Sequence, residues 1–457
     1  MSDISDTITA VSTAPGEGGI AVVRISGPES IAVADKIFKC SRPPPSERQS
    51  PAVIYGHVVS EEKVIDEALL LIMRAPHSYT REDVIEIQCH GGAISAKRIL
   101  RAVLQEKVRL AEPGEFTKRA FLNGRIDLLQ AEAVMDLISA QTDRSAALAM
   151  EQLEGSLSHS FGEIYDNILI ACADLETALD FVEGELPDLF MPAVIQRLTD
   201  ALNKMDLLLS TWDEGHIIRE GALVVISGKP NAGKSTLLNA LLGKDRVIVS
   251  PIPGTTRDVI EEKLVIDGIP IRLADTAGLR SSECSLEQEG VRRARNQIEK
   301  ADINLHVIDS SKIADDDYNN DENMPFLDPA KTIIVFNKID LGFNINVSAF
   351  KNYEAIRTQV SVGKGVANIK ELIVKKLGIQ KYNVHQFVIS ERHKQILVAS
   401  RSDLTNAIDM LKSCDESYIV LSISKIKNVL DNIARAIGKK YHQELLNLIF
   451  NRFCIGK

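Results

Sequence analysis

The sequence predicts a mostly parallel α/β domain that is inserted in an all-α helical domain and preceded by an α+β domain. Residues 1–120 alternate short β-rich runs with turns. Residues 121–220 and 379–457 carry apolar side chains at helical spacing, and residues 221–378 alternate strands with helices around a glycine-rich loop. These four ranges are the predicted domain boundaries, with the two helical blocks joined as one domain. Separate helical domains are the alternative.

The first domain is predicted from three apolar runs typical of strands, at Ile20–Ile25, Ala68–Met73 and Val84–His90. The last run leads through Gly91-Gly92 into a predicted helix. Strands and a helix mixed in this way indicate an α+β fold.

The helical blocks are predicted from apolar residues that recur every three or four positions. One such stripe runs from Leu153 to Leu179 and predicts a single long helix, and a second runs from Val194 to Leu209. A third runs from Ile419 to Ile437 and ends at Gly438, where a helix C-cap favours glycine.

Composition predicts a reduced, cytoplasmic globular protein. The chain has 457 residues, 45% of them hydrophobic, and six cysteines without metal-ligand spacing. No apolar run approaches the roughly 20 residues that a membrane span needs, and no secretory signal is visible. A net charge of −10 argues against a surface devoted to nucleic acid, but from Lys381 onward 12 Lys/Arg face 7 Asp/Glu. That basic segment fits a phosphate-backbone partner or an ordinary solvated helical surface equally well.

A phosphate-binding loop follows the predicted strand Leu223–Ser227. The residues Gly228-Lys-Pro-Asn-Ala-Gly233-Lys234-Ser235 match the pattern GxxxxGK[ST] and run into a helical segment. Backbone N–H groups of such a loop wrap the phosphates, Lys234 bridges the β- and γ-phosphates, and the Ser235 hydroxyl binds Mg²⁺. The expected nucleotide contacts of this loop are Asn231, Ala232, Gly233, Lys234, Ser235 and Thr236.

Two further motifs specify GTP. The turn Asp275-Thr276-Ala277-Gly278 follows a hairpin signalled by the Asp267-Gly268 turn, and Asn337-Lys338-Ile339-Asp340 follows an apolar strand. A carboxylate at Asp340 accepts hydrogen bonds from guanine N1–H and N2–H₂, whereas adenine would leave it unpaired. The base-contacting loop expected after these motifs is degraded to Ser361–Gly365.

The switch segment Gly254-Thr255-Thr256-Arg257-Asp258 supplies Thr256, which is expected to close over Mg²⁺ with Ser250 and Thr255 near the nucleotide. Leu279 follows Gly278, where Ras-like proteins carry a water-orienting glutamine. Asn231 together with this switch resembles the potassium-dependent GTPases. That resemblance implies K⁺ held by Asn231, Ser250, Ile252 and Thr255; the alternative for Asn231 is a turn residue that binds nothing.

Four segments outside these motifs are similar to one family. They are TAPGEGGIAVVRISG, SYTREDVIEIQCHGG, PGEFTKRAFLNGRIDLLQAEAVMDLI and the final Cys454-Ile-Gly-Lys457. In this order, and over essentially the whole chain, they resemble the bacterial tRNA-modification GTPases of the MnmE (TrmE) family.

The resemblance implies a homodimer with an N-terminal tetrahydrofolate-binding and dimerisation domain, a helical domain and an inserted G domain. It further implies a heterotetramer with the FAD-bearing flavoprotein MnmG that modifies C5 of the wobble uridine, position 34, of certain tRNAs. The one-carbon unit would come from 5,10-methylenetetrahydrofolate, of which 5-formyltetrahydrofolate is an analogue, and the nitrogen from glycine or ammonium. GTP, Mg²⁺ and K⁺ would drive the cycle, and no membrane is involved.

The resemblance also implies roles for individual residues. The folate contacts fall on Arg24, Glu86, Arg125 and Lys457, with Arg125 standing where the family carries lysine. The catalytic roles fall on Glu287, which would organise the attacking water, and on Lys234, Thr256 and Cys454. Cys454 is otherwise an inert tail residue.

Two other functions share some of these features. A ribosome-assembly GTPase, which binds RNA without modifying it, has the same nucleotide motifs but not the folate-like domain or the CIGK ending. A folate-dependent methyltransferase with a regulatory G domain would differ in not binding MnmG.

Overall fold

A computed structural model describes residues 6–179, 187–243, 261–275, 295–312, 327–379, 388–413 and 417–457. The chain forms two compact units. The first contains residues 1–135, 152–205 and 396–457, and the second contains residues 136–151 and 206–395. The first unit thus combines the predicted N-terminal domain with parts of both helical blocks, and the three-domain boundaries stay a prediction.

A seven-stranded sheet lies in the first unit. Its strands are β1 (Ile8–Val11), β2 (Ile20–Ser26), β3 (Phe38–Cys40), β4 (Ala52–Ser60), β5 (Lys63–Met73), β6 (Val84–His90) and β7 (Arg109–Leu110). They are ordered β3-β4-β5-β6-β2-β1-β7, and only the β1–β7 pair is parallel. The three strands predicted in this part of the chain are confirmed as β2, β5 and β6.

The two faces of this sheet differ because side chains alternate along each strand. Helices α1 (Ser30–Ile37) and α2 (Ala93–Leu104) contribute to one apolar core with residues such as Val23 and Ile87. Arg24 follows Val23 in β2, and Glu86 precedes Ile87 in β6. Both therefore belong to the opposite face of the sheet. This places a charged pair on the side of the sheet away from α1 and α2.

The helices after the seven-stranded sheet agree with the apolar spacing of the sequence, except that one predicted helix is two. They include α3 (Glu115–Leu122), α4 (Leu128–Ser139), α5 (Asp143–Leu153), α6 (Ser156–Ala178), α7 (Phe190–Ser210) and α8 (Trp212–Glu220). The single helix expected from Leu153 to Leu179 is wrong at its beginning. Leu153 ends α5, and Gly155, at φ 100°, separates it from α6, because glycine adopts this left-handed backbone without strain.

The C-terminal helices are α11 (Glu391–Lys412), α12 (Ser417–Ile437) and α13 (Gln443–Phe450). Helix α12 packs against α6, and Lys427 of α12 forms a 2.6 Å ion pair with Glu176 of α6. Gly438 has φ 81° and directly follows α12, which confirms the predicted helix end. Segments from both helical blocks therefore pack together in the first unit.

A six-stranded sheet lies in the second unit. Its strands are β8 (Ala222–Ser227), β9 (Glu261–Ile266), β10 (Ile269–Asp275), β11 (Ile303–Asp309), β12 (Thr332–Asn337) and β13 (Glu354–Arg357), with helices α9 (Lys234–Leu242) and α10 (Val366–Leu377). The order is β13-β12-β11-β8-β10-β9, and every pair is parallel except β9–β10. Asp267 and Gly268 both have positive φ in the β9–β10 turn. The mostly parallel sheet and its hairpin are confirmed.

Candidate functional site

The glycine-rich loop lies at the carboxyl end of the central strand β8. Strand β8 lies between β11 and β10. Strands β11, β12 and β13 extend the sheet on one side and β10 and β9 on the other, so the loop lies where the strand order reverses. Parallel α/β sheets bind ligands at such points. Gly228 has φ 127°, and a Cβ atom there would lie 2.2 Å from the carbonyl oxygen of Val307 in β11. Only glycine lets the loop begin this close to the neighbouring strand.

Lys234 begins helix α9 and is buried. Its Nζ donates hydrogen bonds to the carbonyl oxygens of Gly228 (2.9 Å) and Lys229 (2.8 Å). The ammonium therefore lies inside the curve of the loop, where phosphates bind in this motif. Asn231 is exposed at φ 64°, and Ser235 and Thr236 are exposed in the first turn of α9.

Asn337 joins the glycine-rich loop to the base-recognition segment. Its side chain is 4% exposed, and its Nδ2 donates to the Ala232 carbonyl oxygen at 3.0 Å. Its Oδ1 accepts hydrogen bonds from the Val360 amide at 3.2 Å and the Thr358 hydroxyl at 3.4 Å. A Cβ atom at Gly233 would lie 2.2 Å from Asn337 Nδ2, so glycine is needed there. One buried amide thus links the end of β12 to the phosphate loop and to the Thr358–Val360 segment.

Lys338 and Asp340 follow Asn337 on the same edge. Lys338 Nζ donates to Asp309 Oδ2 at 2.7 Å, while Asp340 is exposed in a short turn of 3₁₀ helix. Burial alone raises the pKa of Asp309, but hydrogen bonds from Lys338 and Ser311 bring that pKa below its ordinary value. Asp309 is therefore ionised at neutral pH. The sequence did not single it out; its signal is its position at the end of β11, level with Asn337 at the end of β12.

The remaining predicted nucleotide residues are described only in part. The backbone of Asp275 ends β10 and pairs with Ile226 of β8, so it reaches the same sheet edge. The other expected residues lie outside the described ranges: Ser250, Ile252, Thr255, Thr256, Thr276, Ala277, Gly278, Leu279 and Glu287. The switch, the potassium set including Asn231 and the magnesium set including Ser235 stay predictions.

Metal-ligand clusters of three or more His, Cys, Asp or Glu side chains do not occur within the described ranges. The predicted Mg²⁺ and K⁺ sites use hydroxyl, amide and main-chain oxygens together with phosphate, so they would not form such a cluster. Across the helices that the structure describes, none combines the length and apolar character required to cross a bilayer.

A second polar cluster lies in the first unit, on the sheet face away from α1 and α2. Arg24 Nε donates to Glu86 Oε1 at 2.7 Å across the β2–β6 pair, and the two side chains are 18% and 14% exposed. The Arg24 guanidinium carbon lies 5.3 Å from the centre of the Tyr79 ring and 5.5 Å from that of Phe116. Arg125 approaches Tyr79 at 4.7 Å. Two guanidinium groups, a carboxylate and two aromatic rings therefore converge.

Tyr79 and Phe116 are site candidates that the sequence interpretation missed. Both occur inside segments that were recognised, SYTREDV and GEFTKRAF, but nothing in a linear pattern pairs them with Arg24. Tyr79 is further fixed by a 2.9 Å hydrogen bond between its hydroxyl and that of Thr117. The rings supply the flat apolar surface that a planar heterocycle needs for stacking.

The C-terminal tail lies against the same sheet. Gly456 has φ 97°, and a Cβ atom there would lie 2.3 Å from the Val11 carbonyl oxygen at the end of β1. Val11 pairs with Val23, the neighbour of Arg24. Lys457 is half-buried one residue beyond this contact, while Cys454 is exposed. The structure therefore brings Arg24, Glu86 and Arg125 together and brings the chain end to the adjacent strand.

Known proteins of one family match nearly the whole chain. The family model for the GTP-binding protein TrmE N-terminus matches residues 7–125, and the model for the MnmE helical domain matches residues 128–454. A tRNA modification GTPase MnmE of Clostridioides difficile strain 630 is 42% identical over 463 residues, covering 99% of this chain and 100% of the relative. That of Alkaliphilus oremlandii is 40% identical over 465 residues, with the same coverage. Among solved structures, the G domain of the T. maritima FeoB iron transporter is 26% identical, with a TM-score of 0.27, and covers 34% of this chain and 98% of its own.

Proposed function

Because the chain belongs to the MnmE family of tRNA modification GTPases, we propose that it is a potassium-dependent GTPase acting on the wobble uridine of certain tRNAs. With the flavoprotein MnmG it adds an aminomethyl or carboxymethylaminomethyl group at C5 of that uridine. The one-carbon unit comes from methylenetetrahydrofolate, and the working assembly is a homodimer joined by MnmG.

The observation that carries the folate part is the cluster around Tyr79. Glu86 offers a carboxylate to the N–H groups of a pterin, and Tyr79 and Phe116 offer surfaces on which its ring stacks. Arg125 and Lys457 are cations suited to the carboxylates of the glutamate tail. The residues of the cluster thus match a ligand with a polar aromatic head and an anionic tail.

The guanine part is supported by the loops that Asn337 joins. Asp340 is exposed and can accept hydrogen bonds from a guanine base, and Lys338, two residues earlier, is held by Asp309. Lys234 supplies positive charge within the phosphate loop. A bound K⁺ would add the charge that an arginine finger gives to other GTPases.

The proposal is tested by reconstitution. Purified protein, MnmG and an unmodified tRNA transcript with uridine at position 34 are combined with GTP, methylenetetrahydrofolate and glycine or ammonium in KCl. Mass spectrometry of the nucleosides should detect the modified uridine, and omission of either GTP or the folate should abolish it. Product that is unchanged without the folate would contradict the proposed one-carbon source, and no product in the complete mixture would contradict the proposal as a whole.

A further inference from the structure

Helix α2 exposes a basic face. Its sequence, AISAKRILRAVL, contains three cations and no acid. Ala96, Ile99 and Val103 are buried in the core beneath it, and Ala102 is buried as well. The opposite face exposes Ile94, at 76%, and the side chains of Lys97, Arg98 and Arg101. We call these four residues the α2 face.

The three cations of the α2 face are unpaired. Within the part of the chain that the structure describes, none of Lys97, Arg98 and Arg101 has a side-chain hydrogen bond or ion pair. Neighbouring acids are engaged elsewhere: Glu106 pairs with Lys36 at 2.7 Å, and Asp66 pairs with His90 at 2.6 Å.

The positive charge of the α2 face ends near the carboxyl end of the helix. There Ser60 donates a 3.3 Å hydrogen bond to Gln105, which brings the Glu61-Glu62 turn of the β4–β5 hairpin to this end. The acids of that turn lie beyond Arg101, so the α2 face is a bounded positive surface on a protein of net charge −10.

The C-terminal segment, which is basic in sequence, offers fewer free charges. Five of its cations form ion pairs or lie over aromatic rings: Lys425 with Asp403, Lys427 with Glu176, Lys440 with Asp431, Lys394 over Trp212 and Lys439 over Tyr165. Four more have interactions of their own, namely Arg392, Arg401, Lys412 and Arg435. An ion-paired lysine must give up its partner before it can bind a phosphate. The excess charge counted from Lys381 onward therefore does not mark the best polyanion surface.

We propose that the α2 face docks the phosphate backbone of tRNA. The inference rests on the proposed function, which supplies a polyanionic substrate. Unpaired Lys and Arg side chains on an acidic protein complement a phosphate backbone, and such contacts position a nucleic acid without reading its sequence. Because α2 covers the sheet face opposite Arg24 and Glu86, tRNA held there leaves the proposed folate cluster open.

The test is the salt dependence of tRNA binding. The full-length variant Lys97→Gln/Arg98→Gln/Arg101→Gln removes the charges and keeps good helix formers. Each lost phosphate contact lowers the slope of log K against log salt by about 0.7–0.9, so the slope should fall by about 2–3. Affinity at the lowest salt should fall at least tenfold. Fluorescence anisotropy with an unmodified tRNA transcript from 50 to 300 mM KCl measures both.

Two control variants isolate the effect. Lys370→Gln/Lys375→Gln/Lys376→Gln makes the same charge change on α10 of the other unit and should keep the wild-type slope. Lys97→Arg/Arg98→Lys/Arg101→Lys keeps the charge of the α2 face and should also keep it. The GTPase rate without tRNA and the far-ultraviolet circular dichroism spectrum should both be unchanged in all three variants, which shows that both units fold.

Four results would overturn the inference. If the glutamine variant of the α2 face binds tRNA with the wild-type slope, the face does not contact phosphate. If that variant instead loses only MnmG binding, the face docks a protein. If wild type binds and modifies tRNA while the two glutamine variants behave alike, only the α2 assignment is wrong, whereas absence of tRNA binding and modification by wild type would overturn the proposed function as well.

Discussion

Replacing Asn337 by alanine tests whether one buried amide holds the nucleotide site together. The change removes the hydrogen bonds to Ala232, Val360 and Thr358. It leaves the Ala232 carbonyl and the Val360 amide without their partner in residues that are 2% and 3% exposed. Each unsatisfied buried group costs about 1–3 kcal/mol, so losing the partner of these two groups should lower the free energy of unfolding of this unit by about 2–6 kcal/mol.

The loss of nucleotide affinity should accompany the loss of stability. Both the phosphate loop and the Thr358–Val360 segment are released, so GDP affinity should fall at least tenfold, or by about 1.4 kcal/mol. Urea unfolding followed by circular dichroism gives the first quantity, and titration with a fluorescent GDP analogue gives the second. Asn344→Ala is the matched control, because Asn344 is exposed and its side chain donates one 3.1 Å hydrogen bond to the Ser311 carbonyl.

Two results would refute the reasoning about Asn337. Unchanged stability would show that the three hydrogen bonds contribute little. A loss of stability with GDP affinity within twofold of wild type would show that Asn337 supports the fold without positioning the ligand.

Four further experiments test the nucleotide site, the C-terminal tail and the stability of the first unit. GTP hydrolysis should be several-fold faster in KCl than in NaCl at equal ionic strength, and Asn231→Ala should lose that preference; equal wild-type rates would contradict the potassium site. Cys454→Ser should keep GTP hydrolysis near normal while tRNA modification with MnmG falls sharply, and unchanged modification would make Cys454 a structural residue. Gly456→Ala should weaken 5-formyltetrahydrofolate binding in calorimetry at least tenfold, because the added Cβ would lie 2.3 Å from the Val11 carbonyl oxygen. Wild-type affinity in this variant would show that the position of the tail does not affect folate binding. Acid should destabilise the first unit through Glu115. A free energy of unfolding, measured with urea, that does not change with pH would contradict this.

The acid prediction follows from the sign of one pKa shift. Burial alone raises the pKa of Glu115, but hydrogen bonds from Arg109, the Glu112 amide and Arg119 bring that pKa below its usual 4.5. A carboxyl group whose folded pKa is lowered adds stability above its unfolded pKa and loses it as pH falls through the folded value. Stability should therefore decline below about pH 4.5. Glu115→Gln should be less stable at pH 7 and lose less on acidification.

Local patterns predicted most of the fold. The strand, loop and helix from Leu223 to Leu242, the Asp267-Gly268 hairpin and the helix end at Gly438 are each determined by residues close in sequence. The prediction that one helix begins at Leu153 is wrong because the apolar spacing continues across Gly155. Apolar spacing alone does not reveal that this glycine has a left-handed backbone conformation that separates two helices.

Contacts between distant segments could not be predicted in the same way. Tyr79 and Phe116 meet Arg24 only after the sheet and α3 have formed, and Asp309 meets Lys338 only when β11 and β12 lie side by side. The resemblance to a family supplied Arg24, Glu86 and Arg125, but not the aromatic surface between them. Charge counting likewise drew attention to the C-terminal segment, because the ion partners of its lysines are provided by folding.

If the proposed function is correct, modification of the wobble uridine requires this GTPase. Nucleoside analysis of tRNA from cells lacking the protein is the decisive measurement. The C5-modified uridine should disappear from these cells, return with the wild-type gene and stay strongly reduced with the Cys454→Ser variant. An unaltered amount of the modified uridine in tRNA from cells lacking the protein would contradict the proposed function.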